Sequence, residues 1–373
     1  MPGPDLGVRL QLLIGPTVPF PAPYPVMDAF VSLEVQNNDK ERDGFQLTFS
    51  LGKDSVVDYG LLLSGLLDPP ARVIILVLLG LVPEVLIDGI VTQHQIAPSN
   101  RPGESTLVVT GEDVSVMLDL EEKSATYPNQ PDSVIVARLL ASYAQYGLVP
   151  AITPTTNVPI ELQRIPTQQG TDLAFIRELA QRNGYVFYIE PTPIPGVNTA
   201  HWGLDNRLGV PQSALTMNMG SDSNLDAPPT FTFNALGPVA PQITILEPFT
   251  KLAIPIPLPS SLAPPLALRP ARPLRKLLPR DTAGLDPVEA ALSGLASASE
   301  GADAVTGSGE LDAVRYGRAL RSRRLVGFRG VGVSYDGMYY VSQVTHRIRR
   351  GEYKQGFTIK REGRTALLPM VVP

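Results

Sequence analysis

Hydrophobic and polar residues alternate through the last part of the chain with the two-residue period of β-strands. In the first such run we expect two faces, one with Tyr339, Val341, Gln343 and Thr345 and the other with Tyr340, Ser342, Val344 and His346. A second run extends from Tyr353 to Lys360. Asp336-Gly337 before the first run and Arg350-Gly351-Glu352 between the two are turn signals, so the pattern predicts a three-stranded meander that closes the chain.

The same period occurs near the N-terminus, where residues 45–51 place Phe and Leu on one face. Further strands are predicted at about 30–35, 73–79, 85–93 and 105–110, with a short helix within 56–67. The run from Val73 to Val82 is apolar throughout, but a membrane-spanning helix needs about 20 apolar residues. We therefore interpret it as a buried strand and predict no direct membrane span. The short strands of residues 26–120 predict a small barrel or sandwich.

Helical periodicity appears in the middle of the chain. Residues 133–146 predict a helix that ends at Gly147, with Asp132 or Ser133 as the N-cap. A second helix is predicted to begin after Thr171, to bury Leu, Ile and Ala at positions 173, 176, 179 and 180, and to end at Asn183-Gly184 before a strand. Residues 121–235 therefore form a small α/β domain.

Proline density marks two other segments. Residues 1–25 contain seven prolines, which predicts an extended N-terminal arm. Residues 236–373 are predicted to form a second β-barrel, interrupted at about 249–308 by a proline- and alanine-rich insertion that lies outside its core. A helix is expected from Asp312 to Arg321. The fold class is α+β and mostly β.

Composition restricts the chemistry. The 373 residues carry a net charge of −5, contain no cysteine and include three histidines far apart in sequence. These counts exclude disulfides and thiolate metal sites, and they give no indication of a cofactor or of nucleic-acid specificity. The first residues lack the pattern of a signal peptide. We find no nucleophile elbow, phosphate loop or zinc motif, so we predict no catalytic residue. Trp202 is interpreted as packing under a loop, with ligand binding as the alternative.

Basic residues accumulate towards the C-terminus. Between residues 315 and 364 there are thirteen Lys and Arg against three Asp and Glu. Such a surface is tolerated best when an acidic partner faces it, although a solvated basic surface is the simpler interpretation. The residues that we predict at a subunit or partner interface are Arg315, Arg318, Arg321, Arg347, Arg349 and Arg350.

Two strings resemble a known family. Residues 168–188 contain Thr-Asp-x-x-Phe-Ile-x-x-Leu-Ala-x-x-Asn-Gly-Tyr, and residues 340–361 contain Tyr-Val … Val-Thr-His … Gly-Glu-Tyr … Phe … Arg. Both are similar to the baseplate hub family of contractile tails and injection systems, which includes phage late-control protein D, the T4-type tail hub and the hub part of type VI spike proteins.

The resemblance implies a non-enzymatic baseplate hub of a phage tail or a tail-like injection system. It implies a homotrimer in which two tube-like β-barrels per chain flank the α/β domain, giving a pseudo-sixfold ring. Such a ring adapts a sixfold inner tube to a threefold spike and contacts the tube protein, the spike protein and other baseplate components. The particle would be assembled in the bacterial cytoplasm. The alternatives are a cell-envelope-degrading tail enzyme and a monomeric carbohydrate-binding sandwich around Trp202.

Overall fold

The first block contains the strands nearest the N-terminus. The computed structural model describes residues 8–52, 60–80, 82–101, 104–155, 165–205, 207–246, 253–257, 264–277, 294–295 and 301–367. In the first block these form helices α1 (Tyr24–Ala29) and α2 (Gly60–Leu63) and strands β1 (Arg9–Gly15), β2 (Phe20–Pro21), β3 (Phe30–Asn38), β4 (Gly44–Leu51), β5 (Arg72–Leu79), β6 (Val82–Ala97) and β7 (Ser105–Asp113).

The middle block combines helices with short strands. Its described elements are β8 (Glu122–Thr126), α3 (Asp132–Ala141), β9 (Leu148–Ile152), β10 (Thr167–Thr171), α4 (Asp172–Arg182), β11 (Val186–Pro191) and β12 (Asn198–Gly203). They enclose a hydrophobic core separate from that of the flanking strands. As predicted, Thr171 begins α4, where its hydroxyl oxygen accepts a hydrogen bond from the backbone N–H of Ala174. The N-cap of α3 is Pro131 rather than Asp132 or Ser133.

The last block is mostly β. Its described elements are β13 (Gln212–Thr216), β14 (Thr230–Phe233), β15 (Val239–Leu246), β16 (Ala253–Pro257), β17 (Ala267–Pro270), β18 (Arg275–Leu277), β19 (Val305–Asp312), α5 (Ala313–Tyr316), β20 (Leu325–Arg329), β21 (Gly337–Arg349), β22 (Glu352–Arg361) and β23 (Gly363–Ala366). The mostly β, α+β class predicted from the sequence is therefore confirmed.

The two flanking blocks share one 13-stranded sheet. Its strands follow the order β14-β19-β22-β21-β3-β4-β7-β6-β5-β1-β2, with β20 and β13 attached beside β21. Strand β21 connects the blocks, because it pairs antiparallel with β3 and places His346 opposite Val35. One hydrophobic cluster extends across both blocks on the inner face. Within the described residues the sheet is open, with β2 and β14 at its ends, so neither block closes into a barrel on its own.

The closing meander is present, with one change of face. Strands β20, β21 and β22 pair in sequence order, and Gly351 supplies the positive φ of 80° in the tight turn before β22. A bulge between Val341 and Gln343 shifts the register. Val341 and Val344 consequently both enter the core, whereas the strict alternation predicted from the sequence places them on opposite faces.

Several segments differ from the sequence predictions. Arg9–Gly15, in the predicted N-terminal arm, is a strand paired along its length with β5. In the predicted insertion, β16 and β18 pair with β15 and β17 pairs with β23, all in small sheets apart from the 13-stranded sheet, but Val305 is buried in the core at the start of β19. Residues 249–252, 258–263, 278–293 and 296–300 of the insertion lie outside the described residues. The helix predicted over residues 312–321 extends only over Ala313–Tyr316, because Gly317 adopts a left-handed conformation that ends it.

The apolar run after Pro70 is a buried strand, as predicted: residues 73–77 of β5 lie almost entirely in the interior. In the part of the chain that the structure describes, no helix is long and apolar enough to cross a membrane.

Candidate assembly interface

One face of the long sheet is polar across both blocks. A single row of directly opposed residues crosses seven strands, from β19 to β6: Asp312, Lys354, Arg347, Glu34, Gln46, Thr110 and Gln93. The row beside it contains Glu310, Gly356, Thr345, Gln36, Gly44 and Glu112. Because side chains alternate between the faces of a strand, the intervening residues form the core. The blocks thus present one continuous polar surface.

The charges at the centre of this polar face pair with one another. The Arg347 guanidinium lies 3.2 Å from Glu310 and 3.5 Å from Glu34, and the Lys354 ammonium lies 3.4 Å from both Asp226 and Glu352. Hydrogen bonds to Glu352 and Asp226 raise the pKa of Lys354. Solvent screens exposed pairs of this kind, so they contribute little to stability. They do, however, balance the local charge, and the two rows combine charged side chains with amides and hydroxyls.

A buried ion pair joins the blocks behind this face. The Arg323 guanidinium donates to both carboxylate oxygens of Asp43, at 2.6 and 3.0 Å, and both side chains are almost fully buried. It also donates to the backbone oxygen of Asn38 and stacks 4.5 Å from the ring of Tyr188 in the middle block. Arg323 has a positive φ of 59°. One side chain thus connects all three blocks. Burial lowers the pKa of Arg323, but the Asp43 carboxylate more than offsets this effect, so the pKa of the guanidinium is raised.

Next to this ion pair is a buried histidine. Nε2 of His346 lies 3.0 Å from the amide oxygen of Asn37, and Nδ1 lies 2.8 Å from the hydroxyl of Tyr353 and 3.0 Å from the amide nitrogen of Gln355. A neutral imidazole with its proton on Nε2 satisfies this arrangement. Burial, together with the positive charge of Arg321, lowers the pKa of His346 to about 3.

Asp113 lies on the other side of Asp43. Its carboxylate accepts hydrogen bonds from the backbone N–H groups of Asp43 and Ser115, at 2.8 and 2.7 Å. Burial and the charge of Asp43 raise the pKa of Asp113 to about 6. The polar groups of this joint are mostly hydrogen-bonded to one another, an arrangement that fixes the relative position of the blocks rather than one that exposes a reactive group.

A second buried ion pair attaches the middle block. Arg72 donates to both oxygens of Asp88 at 2.8 and 2.7 Å, and to the backbone oxygen of Tyr146 at 2.8 Å. Asn198 donates to Asp88 at 2.8 Å. The first block and the middle block therefore share a hydrogen-bond network. Removing the charge of Arg72 or of Asp88 would leave the other charge buried without its partner.

The six arginines predicted at an interface do not form one cluster. Arg321 is largely internal, 3.2 Å from Glu84 and donating at 2.8 Å to the backbone oxygen of Val85. The other five are exposed and lie in three places. Arg347 and Arg349 lie on β21, Arg350 reaches the backbone oxygen of Asp28 from the following turn, and Arg315 and Arg318 lie in or just after α5.

Arg323, Asp43 and His346 are not predicted as a unit from the sequence. Arg323 is one of the thirteen basic residues between positions 315 and 364. The sequence does contain a signal of a buried polar site, because Asn37 and His346 are polar residues at positions where the alternating pattern predicts core residues. Their pairing across 309 residues could not be read from that signal.

Trp202 is fully buried in β12. Its indole N–H donates to the backbone oxygen of Ile176 at 3.2 Å, and its ring meets Tyr185 edge to face at 4.9 Å. The packing interpretation is therefore correct, and Trp202 offers no surface to a sugar. Among the described residues, no group of three or more His, Cys, Asp or Glu side chains could hold a metal ion.

The fold is that of tail proteins. A tail protein from Neisseria meningitidis MC58 superposes with a TM-score of 0.61 at 14% identity, over 96% of this chain and 98% of that one. The 43 kDa tail protein of prophage MuSo2 from Shewanella oneidensis superposes with a TM-score of 0.63 at 11% identity, over 95% and 98%.

The fold also occurs in type VI secretion. The E. coli c3393 protein, described as a type VI secretion component with structural similarity to the T4 tail proteins gp27 and gp5, superposes with a TM-score of 0.56 at 12% identity, over 92% of this chain and 77% of that one. The chain thus has the architecture found in phage tail and type VI secretion proteins.

Sequence comparison adds one match. A family model described as the Alg8 N-terminal domain matches residues 45–200, less than half of the chain. The matched range begins inside β4 and ends inside β12, so it divides both the large sheet and the middle block. No curated protein matches the chain.

Proposed function

We propose that the chain is a structural baseplate hub of a contractile phage tail or a tail-like injection system, in which it joins a sixfold inner tube to a threefold spike. Three copies form a ring, and each copy contributes its two β blocks as two units of a pseudo-sixfold arrangement. The partners are two further copies of the chain, the tube protein, the spike protein and other baseplate components.

The observation that carries this proposal is the continuous polar face of the shared sheet. The row from Asp312 to Gln93 crosses from the last block to the first without interruption, as the wall of a channel requires. The likeness to tail proteins over nearly their whole length supports the same role.

The open ends of the sheet support ring formation. An edge strand presents unpaired backbone groups that another chain can complete. At the β2 end, Phe20 and Tyr24 are 67% and 79% exposed, so a neighbouring copy would cover two aromatic side chains there. In a ring this end meets the β14 end of the next copy, and both edges are then covered.

The oligomeric mass tests the proposal. We expect light scattering to give three times 40.1 kDa, about 120 kDa, and electron micrographs to show rings with a central channel. A monomer at micromolar concentration, without rings, would contradict the trimer. Incubation with purified peptidoglycan tests the alternative of a cell-envelope-degrading enzyme, and turnover abolished by one carboxylate substitution would overturn the structural role.

A further inference from the structure

A cleft of about 380 Å³ lies where the three blocks meet. One wall is formed by α4 and the turn that ends it. Arg177, Gln181 and Gly184 lie on the same face there, because they are spaced by four and three residues. Tyr185 and Phe187 continue this wall and make it partly apolar. The remaining lining includes charged side chains from the two β blocks and from the connection that follows β12: Asp39, Lys40, Asp205, Arg207 and Lys360. Its volume suits a few side chains or a small ligand.

Two of the cations around this cleft are already paired. Arg207 donates to both oxygens of Asp303 at 2.9 and 2.6 Å. Lys360 contacts Asp39 at 2.5 Å and Asp303 at 3.6 Å. These cations are held by the carboxylates of the fold and are not available to bind another anion.

Arg177 differs from them. It is half-buried, yet it has no hydrogen bond or ion pair with any residue that the structure describes. Burial and the charge of Arg42 lower the pKa of Arg177 by more than the carboxylates of Asp113, Asp119 and Glu112 raise it, so the ionised guanidinium lies in an unfavourable environment. The nearby Arg42 is itself paired, 2.6 Å from Glu112. Arg177 also lines a second, larger cleft of about 610 Å³ on the sheet side of α4.

We propose that this cleft binds an acidic segment of a partner protein, whose carboxylate pairs with Arg177 while an adjacent apolar side chain packs against Tyr185 and Phe187. Charge complementarity argues for this occupant, because a carboxylate supplies the partner that a half-buried guanidinium lacks. The apolar wall argues against a bare inorganic anion. The proposal does not depend on the role as a hub.

Trp202 provides the assay. It is the only tryptophan, and its ring contacts Tyr185, which lines the cleft. We would titrate the full chain with the blocked tripeptide acetyl-Phe-Asp-Phe-amide and follow the fluorescence of Trp202. The matched probe acetyl-Phe-Asn-Phe-amide lacks only the charge. The variant is Arg177→Gln, and Arg101→Gln is its control, since Arg101 is an exposed arginine that pairs with Glu104 at the surface.

We expect the acidic peptide to bind at least about tenfold more tightly than the amide peptide, and Arg177→Gln to abolish this difference while Arg101→Gln preserves it. Thermal unfolding should confirm that Arg177→Gln folds as stably as the wild type, because the substitution removes no hydrogen bond or ion pair with a described residue. Equal binding of the two peptides, no saturation at millimolar concentration, or an unchanged preference in Arg177→Gln would overturn the proposal. N-acetyl-phenylalanine is a third probe; tighter binding of this free carboxylate than of the acidic peptide would overturn a protein segment as the occupant.

Discussion

The buried pair between Arg323 and Asp43 allows a quantitative test of how the blocks are joined. Replacing Arg323 with Met keeps much of the aliphatic stem but leaves Asp43, whose side chain is 1% exposed, without its bidentate partner. Asp43 would retain only the hydrogen bonds from the side chain of Asn37 and the backbone of Asn38, each 2.9 Å long. Removing one partner of a buried ion pair costs about 3–5 kcal/mol, because the remaining charge stays desolvated.

The assay is urea unfolding. Far-UV circular dichroism follows the large sheet, and Trp202 fluorescence follows the middle block. We expect Arg323→Met to lower the free energy of unfolding of the sheet by about 3–5 kcal/mol. The double variant Arg323→Met with Asp43→Asn removes both charges, and we expect its loss to be smaller than the sum of the two single losses by about 0.5–3 kcal/mol.

A matched control is the next residue. Arg324 is half-exposed and pairs with Glu190 at 2.8 Å, so Arg324→Met should cost at most about 1 kcal/mol. If Arg323→Met and Arg324→Met had the same effect, or if the single losses of Arg323 and Asp43 simply added, the buried pair would not be what joins the blocks.

Three further predictions follow from individual residues. His346 has a folded-state pKa of about 3 against 6.5 in the unfolded chain, so the buried neutral imidazole costs no stability above pH 6.5. Below that pH the free energy of unfolding should fall, by about 2 kcal/mol at pH 5. His346→Gln should remove this loss in pH-dependent unfolding, and a pH profile parallel to that of the wild type would refute the prediction. Thr171→Ala should lower the free energy of unfolding of the middle block by about 1 kcal/mol, measured by Trp202 fluorescence, because α4 loses its N-cap. An unchanged free energy would contradict a stabilising role for this cap. Replacing Arg347, Arg349 and Arg350 with serine should weaken trimer or particle assembly and reduce its salt dependence in sedimentation. Unchanged assembly and salt dependence would show that these three arginines are only a solvated surface.

Alternation and capping predicted most of the local structure. Residues 45–51, 73–79 and 105–110 were identified as strands because their side chains alternate or are continuously apolar, a property that depends on near neighbours alone. The same holds for the α4 helix after Thr171. The proline-rich segments were less predictable, because Arg9–Gly15 becomes a strand only through pairing with β5, more than fifty residues away.

Outside the proline-rich segments, the sequence by itself therefore determined most of the strands and helices and which of their residues are apolar. Only the tertiary structure decided that β3 and β21 pair, so that two blocks become one sheet with one polar face. It also decided that the bulge after Val341 reverses the faces, and that Arg323 meets Asp43 across 280 residues. The physical reason is that periodicity fixes the direction of a side chain relative to its own strand, whereas strand partners and buried charge pairs are selected by the free energy of contacts distant in sequence.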